Sequence, residues 1–118
     1  MKIKVLELVN MKPSLQKLIA QDLPIKTAFK ISKIIKVLDP EYAIFEENKT
    51  KIFKKYGEEQ IDRTIRIKPE NMEVFTTEFN ELLGIELEVN VEQIPVVELE
   101  TIKLSVIDLN SLDLLLAK

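Results

Sequence analysis

The sequence predicts an α+β fold. A helical N-terminal half, formed by one long kinked helix or a helical hairpin, precedes a C-terminal half with a small, mainly antiparallel sheet and packed helices. Three observations carry this prediction. Apolar residues recur at helical spacing through 24–56, residues 85–92 alternate strictly, and the two glycines and five prolines fall between periodic segments. With 118 residues, one domain spanning 1–118 is expected.

The first segment, 2–9, is rich in Val, Ile and Leu. Ile3 and Val5 alternate with Lys2, Lys4 and Leu6, which reads as a strand or as the start of a helix. Pro13 suits the first turn of a short helix through Ala20, with Leu15, Leu18 and Ile19 as its buried stripe.

Asp22-Leu23-Pro24 is a helix-start signal. Ile25, Ala28, Phe29, Ile31, Ile35 and Leu38 then follow a helical period, with Lys26, Lys30, Lys33 and Lys36 mostly on the opposite side. Pro40 predicts a kink or a new helix. The pattern resumes with Tyr42, Phe45, Ile52 and Tyr56, supported by the Glu47/Lys51 pair, and Gly57 stops it.

Residues 61–67 alternate, with Ile61, Arg63, Ile65 and Ile67 on one face of an expected strand. Pro69 opens a helix with the stripe Met72, Phe75, Phe79 and Leu82, closed by Gly84. In 85–92, Ile85, Leu87, Val89 and Val91 point inward while Glu86, Glu88, Asn90 and Glu92 point outward, as in a sheet with one wet face. Pro95 ends that strand, and 101–104 reads as its short partner. Ser105 with Asp108 resembles a capping box and starts a last helix with the stripe Val106, Leu109, Leu112 and Leu115.

The composition excludes much chemistry. The chain has no Cys and no His. That removes disulfides, thiolate nucleophiles, the usual structural zinc sites and any Ser-His or Cys-His relay. None of Ser14, Ser32, Ser105 and Ser111 lies in a Gly-x-Ser-x-Gly setting, and Ser32 beside Lys36 reads as a solvated helix face rather than a dyad. Two glycines 27 residues apart cannot form a phosphate-cradling loop. Glu86 and Glu88 share one strand face at cation-binding distance, but no calcium-loop pattern accompanies them. No catalytic residue, metal ligand or cofactor is assigned, and the chain is not expected to be an enzyme.

Charge is divided along the chain. Residues 1–68 hold 15 basic and 9 acidic residues, a net of +6, while 69–118 hold 2 basic and 11 acidic, a net of −9. Such polarity either steers a partner or is neutralised within one fold. The lysine-rich helices could contact phosphate backbones, but arginine is missing from the stripe and the aromatics fall on the apolar face, so nucleic acid is not the favoured partner. Arg63 and Arg66 offer planar anion recognition or, alternatively, pack their stems while their heads reach water. No apolar run approaches the length of a membrane span, and no signal-peptide cleavage site follows the first residues, so a cytoplasmic protein is expected. Segment 24–56 carries more apolar residues than one narrow stripe needs, which predicts a homo-oligomer, with a dimer favoured, or a groove for another protein.

The succession Leu23-Pro24, Phe29, Lys33, Leu38, Glu41, Glu46 and Tyr56, then Glu81 through Val89, then Leu104-Ser105, Asp108-Leu109 and Leu112, resembles a family of small uncharacterised proteins encoded by tailed phages and prophages of low-GC Gram-positive bacteria. The resemblance covers most of the chain and contains no catalytic motif. It implies a phage-derived protein acting inside a bacterial host cell. The expectation is a non-catalytic interaction module that binds a host or phage protein, as an inhibitor or assembly accessory. Its candidate surface comprises Lys26, Lys30, Lys33, Lys36, Arg63, Arg66, Glu86, Glu88 and Glu92. The alternative is a binder of a phosphate-bearing ligand, nucleic acid or a nucleotide signal, through the lysine-rich helices.

Overall fold

A strand of three residues opens the chain and runs straight into a helix, so segment 2–9 is both of the things its sequence suggests. The computed structural model describes residues 1–117. Strand β1 (Lys2–Lys4) is followed without a break by α1 (Val5–Ile19). Val5, Leu8, Met11, Leu15 and Leu18 form the buried stripe of α1. The Glu7 carboxylate accepts the Lys4 N–H at 3.0 Å and so caps the helix start. Pro13 therefore lies inside the helix rather than in its first turn, on the solvent side, and Ile19 is exposed rather than buried.

Helix α2 (Ile25–Tyr56) is a single element of 32 residues that runs through Pro40. At 1.5 Å per residue it is about 48 Å long, and only the 51 Å axis of the molecule accommodates it. The Pro40 ring is exposed, and its missing N–H leaves one carbonyl, that of Lys36, without its helical donor. Thr27, Ile31, Ile34, Leu38, Tyr42 and Phe45 line the buried face.

At its far end α2 passes into β2 (Gly57–Glu59), which pairs antiparallel with β3 (Ile65–Ile67). The expected strand 61–67 is thus shorter. Residues 60–64 turn the hairpin, with the Thr64 N–H and hydroxyl both donating to Asp62 Oδ1 at 3.1 and 2.6 Å. Ile61 is fully exposed and Arg63 adopts φ 68°, so neither shares a strand face with Ile65. Gly57 ends α2 in an extended conformation, and its lack of a side chain is required by proximity. A Cβ there would lie 2.2 Å from Ile65 Cγ2 and 2.5 Å from the Phe53 carbonyl.

Helix α3 (Met72–Leu83) follows a 3₁₀ turn at Pro69–Asn71 and packs on the distal half of α2. Phe53 meets Phe75 edge-on at 5.0 Å between centroids, and Phe79 lies 6.4 Å from Phe45. Met72, expected in this stripe, is exposed. The chain then returns as β4 (Glu86–Glu88), whose partner is β1 and not 101–104. Segment 101–104 is irregular, because the N-terminal strand already occupies the β4 edge. Leu87, Val89 and Val91 face inward as expected, whereas Ile85 is exposed where α3 ends.

Strand β5 (Ile94–Pro95), a 3₁₀ turn at Val96–Leu99, helix α4 (Val106–Ser111), a 3₁₀ turn at Asp113–Leu115 and β6 (Leu116–Ala117) follow among the described residues. β6 lies parallel to β5, giving three two-stranded pairs, two of them antiparallel. One apolar core joins Ile3, Leu8, Leu38, Val89, Ile94 and Leu112, and so draws on both halves of the chain. In α4, Leu112 and Leu115 are buried just beyond the helix, but Val106 and Leu109 face out. The residue that α4 itself buries is Asp108, 7% exposed.

Asp108 shows why. Its carboxylate accepts the Ser14 hydroxyl at 2.8 Å, the Lys17 ammonium at 2.8 Å and the Ser105 N–H at 3.1 Å. Lys17, Ser14 and Ser105 together hold it well below the usual carboxylate range. The charge divided along the sequence meets here and elsewhere. Among the described residues, Lys17–Asp108, Lys30–Glu98, Lys55–Glu78 and the N-terminal ammonium with Glu88 all join the basic first half to the acidic second half. At these four contacts the charges of the two halves offset one another.

Candidate functional site

The candidate residues fall into three places. Arg63 and Arg66 belong to the β2–β3 hairpin beyond the end of α2. From Lys33 to Gly57 the helix rises about 36 Å, so the arginines and the lysines of α2 do not form one surface. Glu86 and Glu88 lie on the outer face of the β1–β4 pair, directly opposite Lys4 and Lys2. That face is a ladder of cross-strand charge pairs rather than an acidic patch. No group of three or more carboxylates that could hold a metal ion is present among the described residues.

The third place brings four candidates together and leaves out Lys26, which is exposed one turn before Lys30 on α2. A groove of about 350 Å³ runs between α2 and the segment that follows β4, with Lys30, Lys33, Lys36 and Glu92 around it. Ile34, Val37 and Val91 supply its apolar part, and Asn90 completes the wall. The helical period explains the arrangement. Lys30, Lys33, Ile34 and Val37 are three or four residues apart and form one flank of α2.

The lysines around this groove differ in their engagements. Lys30 donates to Glu98 Oε1 at 2.8 Å, while the Thr27 hydroxyl donates to Glu98 Oε2 at 3.2 Å. The hydrogen bond to Glu98 raises the Lys30 pKa above its ordinary value, and the same bond lowers that of Glu98. The Lys33 ammonium sits 4.9 Å from the Phe29 ring centre, a cation–π contact. Among the described residues neither Lys33 nor Lys36 has a carboxylate partner. Ser32 and Lys36 are both exposed and share no hydrogen bond, so nothing in their geometry activates the serine.

The opposite flank of α2 is apolar. Ile19, Leu23, Ala28, Ile31 and Ile35 line a shallow depression between the end of α1 and the start of α2. Beside it Ile25 is 82% exposed and Phe29 61% exposed. Elsewhere the apolar surplus of α2 is largely covered. Phe45 and Phe53 pack against α3, and Ile35 and Val37 rest against the core.

The groove residues Asn90 and Val91 were not foreseeable as site residues, because nothing local to 85–92 reveals that its end passes beside a helix 55 residues earlier. The buried Ser14–Asp108–Lys17 cluster was equally hidden, although the Ser105/Asp108 spacing pointed to one of its members. No helix among the described residues is long and apolar enough to cross a membrane. No family model matches the chain, and neither does any curated protein or solved structure.

Proposed function

We propose that the chain is a non-catalytic protein-interaction module that pairs with a second copy of itself and binds a host or phage protein in the bacterial cytoplasm, as an inhibitor or assembly accessory. The observation that carries this reading is the apolar flank at the start of α2, where Ile25 and Phe29 stand exposed beside the depression lined by Ile19, Leu23 and Ile35. An exposed apolar patch of this kind favours burial against protein. The phage or prophage setting is supported by the sequence resemblance in residues 23–112.

Light scattering tests the self-association. At micromolar concentration the chain should show twice its 13.7 kDa mass, and Ile25→Glu with Phe29→Glu should return it to the monomer. A monomeric mass for the unaltered chain would overturn the dimer. The phosphate-ligand alternative draws on Lys26, Lys30, Lys33, Arg63 and Arg66, which lie at two ends of α2, and Lys30 is already engaged by Glu98.

A further inference from the structure

We infer that the groove beside Lys33 and Lys36 receives an extended acidic peptide of another protein, added as a strand along residues 90–92. This deepens the interaction-module reading, on which it rests, by naming the chemistry of the partner segment.

Three independent features converge on it. The first is unpaired main chain. The β1–β4 ladder ends where the Val89 N–H donates to the Met1 carbonyl at 2.9 Å. Beyond that point Asn90, Val91 and Glu92 belong to no strand pair, and their N–H and C=O groups have no main-chain partner among the described residues. Three such residues cover roughly 10 Å of edge, enough to register a short peptide by main-chain hydrogen bonds.

The second feature is the apolar part of the groove. Ile34 is buried in the core, and Val37 and Val91 are half-buried beside it. A peptide strand directs alternate side chains to opposite sides, so one aliphatic side chain enters here while its two neighbours stay at the rim, within reach of long lysine side chains.

The third is charge. Among the described residues Lys33 and Lys36 have no carboxylate partner, Lys33 resting only against the exposed Phe29 ring, and Lys30 is held by Glu98, so two ammonium groups without a counter-ion line a groove with one carboxylate, that of Glu92. The pattern this fits is an aliphatic residue between two acidic ones, with the acidic side chains meeting Lys33 and Lys36.

The test is titration of the isotope-labelled full chain with the peptide acetyl-Glu-Val-Glu-Leu-Glu-amide, read by amide chemical shifts. Its counterpart with Lys in place of each Glu serves as the comparison. Saturable shifts centred on 33–37 and 90–93 with the acidic peptide are expected. Lys33→Glu with Lys36→Glu should weaken the acidic peptide by about tenfold or more and favour the basic one. Circular dichroism of that variant reports whether it is folded. Val37→Asp is a second variant that should lose the acidic peptide by a different route. Absence of saturable shifts, equal response to both peptides, or saturable binding of a thymidine oligonucleotide at these residues in place of the peptide would overturn the inference. Ile19→Glu with Ile25→Glu, both on the apolar flank and neither lining the groove, separates the two readings. It should abolish the dimer and leave peptide binding at the groove intact.

Discussion

The Ser14 hydroxyl donates to Asp108 Oδ1 at 2.8 Å, joining two residues separated by 94 positions. Both are buried, and the bond fixes α4 against α1. Lys17, one turn further along α1, takes the second carboxylate oxygen. A charged group in such a site is stable only because every oxygen is matched by a donor.

Replacing Asp108 by Asn should therefore lower the melting temperature by several degrees at pH 7. An amide nitrogen would face the donors of Lys17 and Ser105 without accepting from them. The pH dependence has a definite sign. The folded-state pKa of Asp108 is depressed. Its stabilisation is therefore complete above the unfolded value of about 4 and is lost as pH falls through the lower folded value. Thermal melts from pH 7 downward should show the gap between the natural chain and Asp108→Asn shrinking below about pH 4. A constant gap would show that the carboxylate charge is not what holds α4.

The Tyr42 hydroxyl donates to the Leu8 carbonyl at 2.6 Å inside the α1–α2 contact. Burial, aided by Asp39, raises its pKa to about 12. The neutral phenol is the favoured form, so its contribution is complete below the unfolded value of about 10 and is lost as pH rises through the folded one. Tyr42→Phe should cost about 1 kcal/mol at pH 7 in urea unfolding, and should flatten the loss of stability above about pH 10.

Gly57→Ala should destabilise the chain by about 1–3 kcal/mol, since the new methyl group meets the Ile65 side chain and the Phe53 carbonyl and must displace the hairpin. Chemical denaturation measures the loss. Hydrogen exchange should place the accelerated amides in 57–67 and the end of α2. Loss spread evenly over α1 and α4 instead would contradict this account.

Pro13 is an exposed residue inside α1, and its ring removes the donor that the Val9 carbonyl would otherwise receive. Pro13→Ala should raise stability by about 2 kcal/mol, the interior cost of proline less its restriction of the unfolded chain. An unchanged or lowered melting temperature would mean that the helix uses a bend at this point.

Leu38 is fully buried at the middle of α2 and belongs to the shared core. Leu38→Ala should cost about 2–5 kcal/mol by denaturant unfolding, the range for deleting a core leucine. A cost near zero would mean that the helix is not held by this face.

The long periodic segments were legible because one face of each meets one neighbour. The Phe75/Phe79 stripe of α3, the inward series Leu87, Val89 and Val91, and the Ile31, Leu38, Tyr42 and Phe45 part of the α2 stripe appear where their spacing puts them. Ile25 and Phe29, expected in that stripe, are exposed, and the buried face starts at Thr27 instead. The start of α1 was also written in the chain, in Val5, Leu8, Met11, Leu15 and Leu18, but the shorter alternation of Ile3 and Val5 competes with it. In α4 local pattern misleads. Val106 and Leu109 face water, because the helix is oriented by Asp108 bonding to α1 across most of the chain. The groove shares that property. Lys33 and Lys36 were visible as a charged helix face, whereas Asn90 and Val91 join them only through the return of β4 to β1.

The joining of a basic first half to an acidic second half has a consequence for synthesis. A nascent chain that has reached residue 68 carries a net charge of +6, and every carboxylate that later meets Lys17, Lys30 and Lys55 is still to be made. At that stage α1 lacks α4, the distal part of α2 lacks α3, and β1 lacks its strand partner β4. Such an intermediate is a polycation with open apolar stripes. Arrival of the acidic half both neutralises it and closes its core, so the long helix made early cannot complete its packing until residues far along the chain have been made.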